Sequence, residues 1–480
     1  MLFLSSWAVA SPVASSPDDD YHLSSIWCGQ GIREGLCEIG DLSNLGFKVP
    51  YSAATNSWCF AFQSNLSGNC PYSNELFETP RVNFSNVLYP PVYYWTMSWF
   101  VNEDVSSSVI ITRILNSLLA VSLLSLIIYL LPAYLRRIPV IAVVTSSIPL
   151  GVFLLASNNP SAWAYTGVLS FFCSVLGYFA SKERKSRYLF VALSVFSFVV
   201  SAGSRGDAAL FSVFAMFLVM VLMLQKSDLT ASKIVFFAIF SILGILSYLN
   251  SGAPGATTDK MRESTDDDSP LNLFSNLVRL PDLWAGVFGT WGLGWLDTLM
   301  PPIVWVSTLC LFFALLFTSI QFFTFRQKIA FLFVALALVF VPLYVLSVNR
   351  LEVGQGVQPR YLLPLLALLV AVAVFRTSPN KGLNLSKLQV FIMGITLIVA
   401  HSVALNTNLR RYISGIDIRS FNLDNTVEWW WDNAPVSPSL VWLAGSVFFG
   451  IFLISLWKLR RELGLPAVHD DNTVRKPRPL

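Results

Sequence analysis

Long apolar stretches recur along almost the whole chain, separated by short polar segments. A helix needs about 17 to 25 predominantly apolar residues to cross the hydrocarbon core of a bilayer. Eleven stretches approach or reach that length, so the pattern predicts an all-α polytopic membrane protein. The predicted spans are 108–131, 138–156, 161–180, 188–203, 208–224, 233–249, 302–323, 329–348, 361–375, 388–405 and 439–457.

The composition supports the same class of protein. Of the 480 residues, 54% are hydrophobic and 12% are charged, and the mean hydropathy is +0.61. A soluble domain carries about 25% charged residues. The net charge of +4 matters less than its distribution, and we expect membrane lipids rather than nucleic acid as partners.

Residues 1–15 are apolar but too short for a comfortable span. They lack the charged beginning of a signal peptide. We interpret them as a partial or short first membrane helix rather than as a cleaved signal, which gives a bundle of about 11 to 12 helices.

Lysine and arginine accumulate in every second loop, and such loops face the cytoplasm. The rule predicts that 16–107, 250–301 and 406–438 are outward loops and that 458–480 is a cytoplasmic tail. The basic residues of the cytoplasmic loops are Arg136, Arg137, Lys182, Arg184, Lys185, Arg187, Lys226, Lys233, Arg326, Lys328, Arg376, Lys381 and Lys387.

Four cysteines lie in the first outward loop, namely Cys28, Cys37, Cys59 and Cys70. An even number of cysteines in an oxidising compartment indicates disulfides. We expect two bonds; the sequence leaves their connectivity open, and pairing of nearest neighbours is the simplest choice. Cys173 and Cys310 fall in apolar spans and are expected to be core residues.

The densest chemical signal is the run 17–22, which holds Asp18, Asp19, Asp20 and His22. Neighbouring carboxylates repel one another, so the run favours an exposed, hydrated or cation-bound site. Such a cluster suits proton abstraction from a hydroxyl or binding of a metal. A solvated acidic turn is the alternative.

Three further charged residues lie at or near predicted membrane depth. Arg113 is near the outer end of its span and is expected to snorkel to the headgroups, with pairing to the acidic run or to a phosphate as alternatives. The outward turn at 203–207 carries Arg205 and Asp207. Intramembrane charges are costly and are usually functional or paired, so this pair is either structural or part of a site.

The outward loop 349–361 is unusually polar for the entrance to an apolar helix, with Arg350, Glu352, Arg360 and Tyr361. Arginine makes planar, bidentate contacts with phosphate oxygens. The loop is therefore a candidate phosphate site, with an arginine that snorkels at a helix end as the alternative.

The remaining outward segments carry weaker expectations. Residues 24–30 are predicted to form a short helix along the membrane surface, and the aromatic segment 80–100 to rest at the interface. The acidic stretch 259–268 is expected to be solvated. Residues 271–300 are typical of a re-entrant or surface-lying segment that covers a cavity. Trp429–Trp431 suit a sugar site or a membrane surface equally.

Two short motifs resemble those of a known family. Pro17-Asp18-Asp19-Asp20-Tyr21-His22 resembles the Pro-Asp-Glu-Pro-x-His stretch of a family of predicted bacterial membrane proteins, usually grouped with the GT-C glycosyltransferases. Gln358-Pro359-Arg360-Tyr361-Leu362-Leu363-Pro364 is similar to its Gly-Arg-Tyr-x-x-Pro signature. Asp19, Asp20 and Pro359 depart from the family's Glu, Pro and Gly.

The resemblance implies a GT-C-like bundle in the bacterial plasma membrane with an outward active site. It implies transfer of a sugar from a polyprenyl-phosphate donor to a cell-envelope glycan or glycolipid. Asp18 and Asp19 would act as general base, in some families with a divalent metal such as Mg or Mn. Arg360 would contact the donor phosphate, with Tyr361 and Arg205 beside it. The further candidates are His22, Asp20, Asp207, Glu352, Arg350 and Arg113.

Two other functions remain open at this stage. A transporter or flippase of lipid-linked glycans would place polar groups near mid-membrane, often in two related halves. A non-catalytic scaffold of envelope assembly would rely on the aromatic-rich loops.

Overall fold

The computed structural model describes most of the chain, and some predictions fall outside the described part. Those are the predictions for the acidic stretch 259–268, for Trp429 and Trp430, and for nearly all of the tail beyond residue 465. The described residues are 1–40, 46–83, 88–224, 230–252, 273–376, 385–428, 431, 436–465 and 468–469.

The described residues are predominantly helical. In chain order the α-helices are α1 (Leu2–Val9), α2 (Asp19–Trp27), α3 (Tyr51–Thr55), α4 (Val92–Met97), α5 (Val105–Leu130), α6 (Ala133–Ser146), α7 (Leu150–Leu155), α8 (Ser161–Ala180), α9 (Arg184–Ala202), α10 (Gly206–Met223), α11 (Ala231–Asn250), α12 (Leu273–Gly286), α13 (Pro302–Ile320), α14 (Phe325–Val348), α15 (Pro359–Val374), α16 (Lys387–Ile413) and α17 (Pro438–Lys458). Short 3-10 helices cover Asn56–Cys59 and Ser98–Phe100. The strands are β1 (Glu38–Ile39), β2 (Phe47–Pro50), β3 (Leu76–Thr79), β4 (Leu385–Ser386) and β5 (Val468–His469).

Within the described residues, nine helices are long and apolar enough to cross a membrane: α5, α8, α9, α10, α11, α13, α14, α16 and α17. The chain is therefore an all-α polytopic membrane protein, as predicted. Two of the eleven predicted spans differ. Residues 138–156 form α6 and α7 with a break between them, because Pro149 has no N–H and disfavours a helical residue before it. Residues 361–375 lie mostly in α15, which has only 16 residues.

The core of the bundle is built around α15 and α8. Every residue of α15 except Tyr361 is buried, and α15 packs against α6, α8 and α14. A helix that is apolar on all sides must be enclosed by protein or lipid, which explains why a continuous apolar run becomes a central helix here. At the α8–α9 contact, Gly167 lets the backbones approach so closely that an added Cβ would lie 2.6 Å from the Ser201 nitrogen.

The loop predicted to face outward, 16–107, carries a small three-stranded antiparallel sheet, in the order β1–β2–β3. Its cysteines form the bonds Cys28–Cys37 and Cys59–Cys70, so nearest-neighbour pairing is confirmed. The predicted surface helix at 24–30 is wrong in place and setting: α2 begins at Asp19, and all of its residues are buried.

The two cysteines predicted to be core residues have different settings. Cys173 is buried as expected, but Cys310 is exposed on the outside of the bundle, because an apolar span also presents a face to lipid.

Residues 273–300 form α12 and a glycine-rich turn packed against the N-terminal segment. Trp295 Nε1 donates to the Ala14 carbonyl at 2.9 Å.

Candidate functional site

A non-helical segment between α1 and α2 presents the acidic run, and Arg113 of α5 holds this segment in place. The Arg113 guanidinium donates to the carbonyls of Ala8, Ser11 and Pro12 at 2.7 to 2.9 Å. It is only 1% exposed. The expectation that Arg113 snorkels to the headgroups is therefore wrong, because the chain turns back over it and supplies acceptors inside the protein.

Asp18 meets Arg360 at the beginning of α2. Its carboxylate Oδ2 accepts from Arg360 Nη2, while Arg360 Nη1 donates to the Pro17 carbonyl at 3.0 Å. Asn159 Nδ2 donates to the same carbonyl at 3.0 Å. Asp18 has a left-handed φ of 60°, which Asp and Asn adopt more readily than most residues. This conformation turns its side chain toward Arg360 and away from the helix.

The two partners differ in exposure. The Asp18 side chain is 37% exposed, whereas that of Arg360 is 2% exposed. Burial opposes ionisation of Asp18, but the surrounding positive charges, with Arg360 foremost, outweigh burial and lower its pKa. Asp18 is thus an ionised, solvent-reachable carboxylate on a buried cation.

Asp19 lies in a different environment from its neighbour. It is fully buried; its Oδ2 accepts from the Ser16 N–H at 2.9 Å, and its Oδ1 has no hydrogen-bond partner among the described residues. Burial raises its pKa to about 7, although the Arg113 charge and the Ser16 hydrogen bond oppose this. Asp18 and Asp19 are adjacent in sequence, yet their proton affinities diverge.

Asp20 and His22 complete the inner side of the run. Arg81 pairs with Asp20 at 2.6 Å, and burial still raises the pKa of Asp20. His22 Nδ1 shares a hydrogen bond of 2.8 Å with the Tyr94 hydroxyl. Burial lowers the pKa of His22 to about 3, so the imidazole is neutral. The predicted exposed run is therefore largely buried, and arginines are the cations that bind it.

A second arginine lies beside the first through Tyr361. Arg205 forms a two-pronged pair with Asp207, at 2.9 and 2.8 Å. Its guanidinium carbon is 4.1 Å from the centroid of the Tyr361 ring and 5.8 Å from that of Tyr89. Arg360 lies 5.1 Å from the Tyr361 centroid and donates to its hydroxyl at 3.2 Å. Both cations thus contact one aromatic ring, a favourable arrangement.

Two of the sequence candidates have other surroundings. Glu352 lies 3.6 Å from Arg279, with both side chains nearly half exposed. Arg350 is exposed at a left-handed turn. Neither Glu352 nor Arg350 therefore takes part in the contacts described above for the cluster at Asp18 and Arg360.

The resemblance allows a divalent metal such as Mg or Mn at Asp18 and Asp19, but the residues of this cluster do not fit one. Across the described ranges, no group of three or more His, Cys, Asp or Glu residues could hold a metal ion. Asp18 is directed to Arg360, and Asp19 is enclosed and bound to a backbone N–H.

The match with known proteins covers this cluster. The family model described as "Predicted membrane protein (DUF2142)" matches residues 1–369. The chain belongs to this family. No curated protein and no solved structure matches the chain. The matched DUF2142 region contains both ends of the cluster, from Asp18 to Arg360, and thereby both sequence motifs.

Sequence reasoning missed several residues of the DUF2142 cluster. Arg81, Tyr89 and Tyr94 lie in the aromatic segment 80–100, and Asn159 lies in the turn before α8. The aromatic segment was expected at the interface, but Tyr93 and Tyr94 are buried while Trp95 and Trp99 are exposed. A buried tyrosine hydroxyl needs a polar partner, and that signal could have pointed from this segment to His22.

Chemically, the DUF2142 cluster combines a proton acceptor with cations. Asp18 can accept a proton at a solvent-reachable position, and the guanidinium groups of the buried Arg360 and the partly buried Arg205 can bind an anion with several oxygens. Neutral His22 and the tyrosines add hydrogen-bonding groups without further charge. Such a set suits reactions in which a hydroxyl loses a proton while an anionic group departs.

Proposed function

We propose that this protein transfers a sugar from a polyprenyl-phosphate donor to a hydroxyl of a cell-envelope glycan or glycolipid, on the outer face of the plasma membrane. The observation that carries the proposal is the half-exposed Asp18 carboxylate on the buried Arg360, with Arg205 across the Tyr361 ring. The resemblance of both motifs to the GT-C-associated family points to the same activity.

The reaction can be written with the residues of the cluster. Asp18 takes the proton of the acceptor hydroxyl, whose oxygen forms a bond to the anomeric carbon of the sugar. The bond from that carbon to the phosphate oxygen breaks, and polyprenyl phosphate leaves with the electron pair. Arg360 and Arg205 stabilise the charge that develops on the phosphate.

Donor binding would prepare Asp18 for this role. In the free protein Arg360 lowers the pKa of Asp18. A phosphate bound to Arg360 adds negative charge near Asp18 and shares its cation, and both effects favour the protonated carboxyl. The carboxylate therefore becomes a stronger base when the leaving group is in position.

A lipid donor also needs a place for its chain. A cavity of about 620 Å³ opens between α9 and α11 and is lined mainly by apolar side chains. Pro90 and Gly203 are among its lining residues, and they lie one and two residues along the chain from Tyr89 and Arg205. An isoprenoid chain in this cavity would have its phosphate near the arginines.

The test uses purified full-length protein with a panel of polyprenyl-phosphate sugars and envelope extract as acceptor. Release of polyprenyl phosphate is measured, because that product is common to every sugar and acceptor. We expect Asp18→Asn to reduce release by about 10² to 10⁴, the usual contribution of a general base. Wild-type release from Asp18→Asn would refute the proposal.

Glu352→Gln is the matched control, since it removes an outward carboxylate paired with Arg279 outside the cluster; its release should equal that of the wild type. The same proteins in liposomes distinguish the transporter alternative. If the intact donor crosses the bilayer and neither the wild type nor a variant releases polyprenyl phosphate, the protein is a flippase and not a transferase.

A further inference from the structure

A second group of buried arginines lies at the opposite end of α15 from Arg360. Arg137 is the fifth residue of α6, and Arg376 follows the end of α15; each is 4% exposed. The helices α6 and α15 pack against each other. Sixteen residues of α15 correspond to about 24 Å, so this pair lies at the far end of the central helix from Arg360.

The two terminal nitrogens of Arg376 are satisfied by backbone carbonyls, two of them at the end of α15. Its Nη1 donates to the carbonyls of Ala373 and Phe375 at 2.8 and 2.6 Å, and its Nη2 to that of Ser319 at 3.2 Å. Gln327 Nε2 donates to the same carbonyls of Ala373 and Phe375 at 3.1 and 3.0 Å. A carbonyl has two lone pairs, so these acceptors are already fully used.

Arg137 differs from Arg376 because no carbonyl or other hydrogen-bond acceptor of the described residues is paired with its buried nitrogens. Its Nε and Nη2 are buried and make no hydrogen bond within the part of the chain that the structure describes, and Arg376 Nε is in the same condition. Burial, and secondly the charge of Arg137, lower the pKa of Arg376 to about 10. Buried cations with unused N–H groups, at the ends of two helices that pack against each other, are costly unless an anion compensates them.

We propose that Arg137 and Arg376 form a binding site for a phosphate group, as carried by an anionic phospholipid or by free phosphate. Guanidinium groups match phosphate oxygens in geometry and charge, and basic pockets between membrane helices bind anionic headgroups. The charge distribution of the loops predicts that this site faces the cytoplasm. It is independent of the proposed transferase activity.

Arg136 provides a matched control for Arg137. It is the preceding residue, but its Nε, Nη1 and Nη2 donate to the carbonyls of Leu131, Glu462 and Tyr129 at 2.8, 3.2 and 3.0 Å. A substitution at Arg136 removes the same charge from the same turn without removing unused donors.

The experiment measures binding of phosphatidylglycerol to the full-length protein in neutral detergent, with phosphatidylcholine for comparison. Arg137→Met should weaken phosphatidylglycerol binding roughly tenfold or more, since charge-assisted hydrogen bonds are lost. Arg136→Gln should change it by less than about twofold. Equal affinity of wild type and Arg137→Met, or an equal loss in both variants, would overturn the site.

Thermal unfolding of the same proteins keeps the test decisive if a variant folds poorly. Without anionic lipid, Arg137→Met should be at least as stable as the wild type, because an uncompensated buried charge is removed. Phosphatidylglycerol should stabilise the wild type and not this variant. Destabilisation of Arg137→Met with an unchanged phosphatidylglycerol effect would show a purely structural role. Displacement of phosphatidylglycerol by inorganic phosphate would identify the free anion as a ligand.

Discussion

Arg360 and Asp18 are 342 residues apart in sequence, yet their side chains form a direct ion pair. The same guanidinium also holds the Pro17 carbonyl at 3.0 Å. A planar fork with two donor edges can serve a carboxylate and a carbonyl together, which a single ammonium cannot do in the same geometry. Arg360 therefore fixes the beginning of α2 against the central helix.

Two substitutions of Arg360 should distinguish the contribution of its charge to stability from that of its two-sided hydrogen bonding. We expect Arg360→Gln to lower the free energy of unfolding by about 3 kcal/mol, since a hydrogen-bonded ion pair with one buried partner is broken. Arg360→Lys keeps the charge and should recover only part of this loss. Thermal unfolding in detergent measures both. If Arg360→Lys equals the wild type, the two-edged contact has no energetic role.

Asp19 should make stability depend on pH. Its folded-state pKa of about 7 lies above the ordinary value of 3.8, so the folded protein binds a proton more tightly than the unfolded chain. Stability should therefore decrease as the pH rises from about 4 to about 7. Asp19→Asn mimics the protonated carboxyl and should remove this decrease, which linkage puts at ~4 kcal/mol.

Unfolding temperatures of wild type and Asp19→Asn at about pH 5 and about pH 8 check this expectation. The unfolding temperature of Asp19→Asn should increase relative to that of the wild type as the pH rises. Glu352→Gln is a suitable control because it changes an exposed carboxylate outside the cluster. A constant difference between wild type and Asp19→Asn across this range would contradict the assignment.

The buried pair Arg411–Asp297 should be a strong structural contact. The atoms Nη2 and Oδ2 are 2.7 Å apart, and the side chains are 0% and 6% exposed. Arg411 also donates to the Phe60 carbonyl at 2.8 Å, so it joins the Cys59–Cys70 loop to the glycine-rich turn. Asp297→Asn should destabilise the protein by about 3 to 5 kcal/mol, because it leaves a buried charge unpaired.

Thermal unfolding measures the effect of Asp297→Asn, and Asp417→Asn, at an exposed position, is its control. A loss of less than about 1 kcal/mol, as surface pairs show, would mean that water reaches this pair.

Gly167 should control the approach of α8 to α9. An added Cβ would meet the backbone and side chain of Ser201 at 2.6 to 2.8 Å, whereas a Cβ at Gly394 has no atom within 4 Å. Small residues let membrane helices pack closely, so Gly167→Val should cost about 1 to 3 kcal/mol through overpacking. Gly394→Val should be nearly neutral. Comparable unfolding temperatures for both variants would disprove the close contact.

Much of the candidate site was predictable residue by residue. Asp18, Arg360 and Arg205 stood out because charged groups are rare in this chain and costly near a membrane. Their partners were less visible. Arg81, Tyr94 and Asn159 belong to residue types that are common at membrane interfaces and turns, so no local pattern marks them as contacts of the acidic run.

Arg113 shows where reasoning from the sequence was misled. Near the end of an apolar helix, snorkelling is the ordinary solution for an arginine. The structure uses another solution, in which the segment after α1 folds over the guanidinium and presents carbonyls to it. Nothing in the sequence around Arg113 signals this, because backbone acceptors leave no mark in residue type.

The sequence by itself determined the membrane class, the positions of most helices and the presence of two disulfides, because the length of an apolar stretch and the residue types of a loop can be read locally. It left the pairing of the cysteines open, with nearest neighbours as the simplest choice, and the structure decided it. Tertiary structure alone decided that α15 lies at the centre, that the acidic run is buried, and that Asp18 meets Arg360. These outcomes depend on which helix faces enclose one another. Burial then sets the charge state: it raises the pKa of Asp19 to about 7, while Arg360 keeps that of Asp18 low.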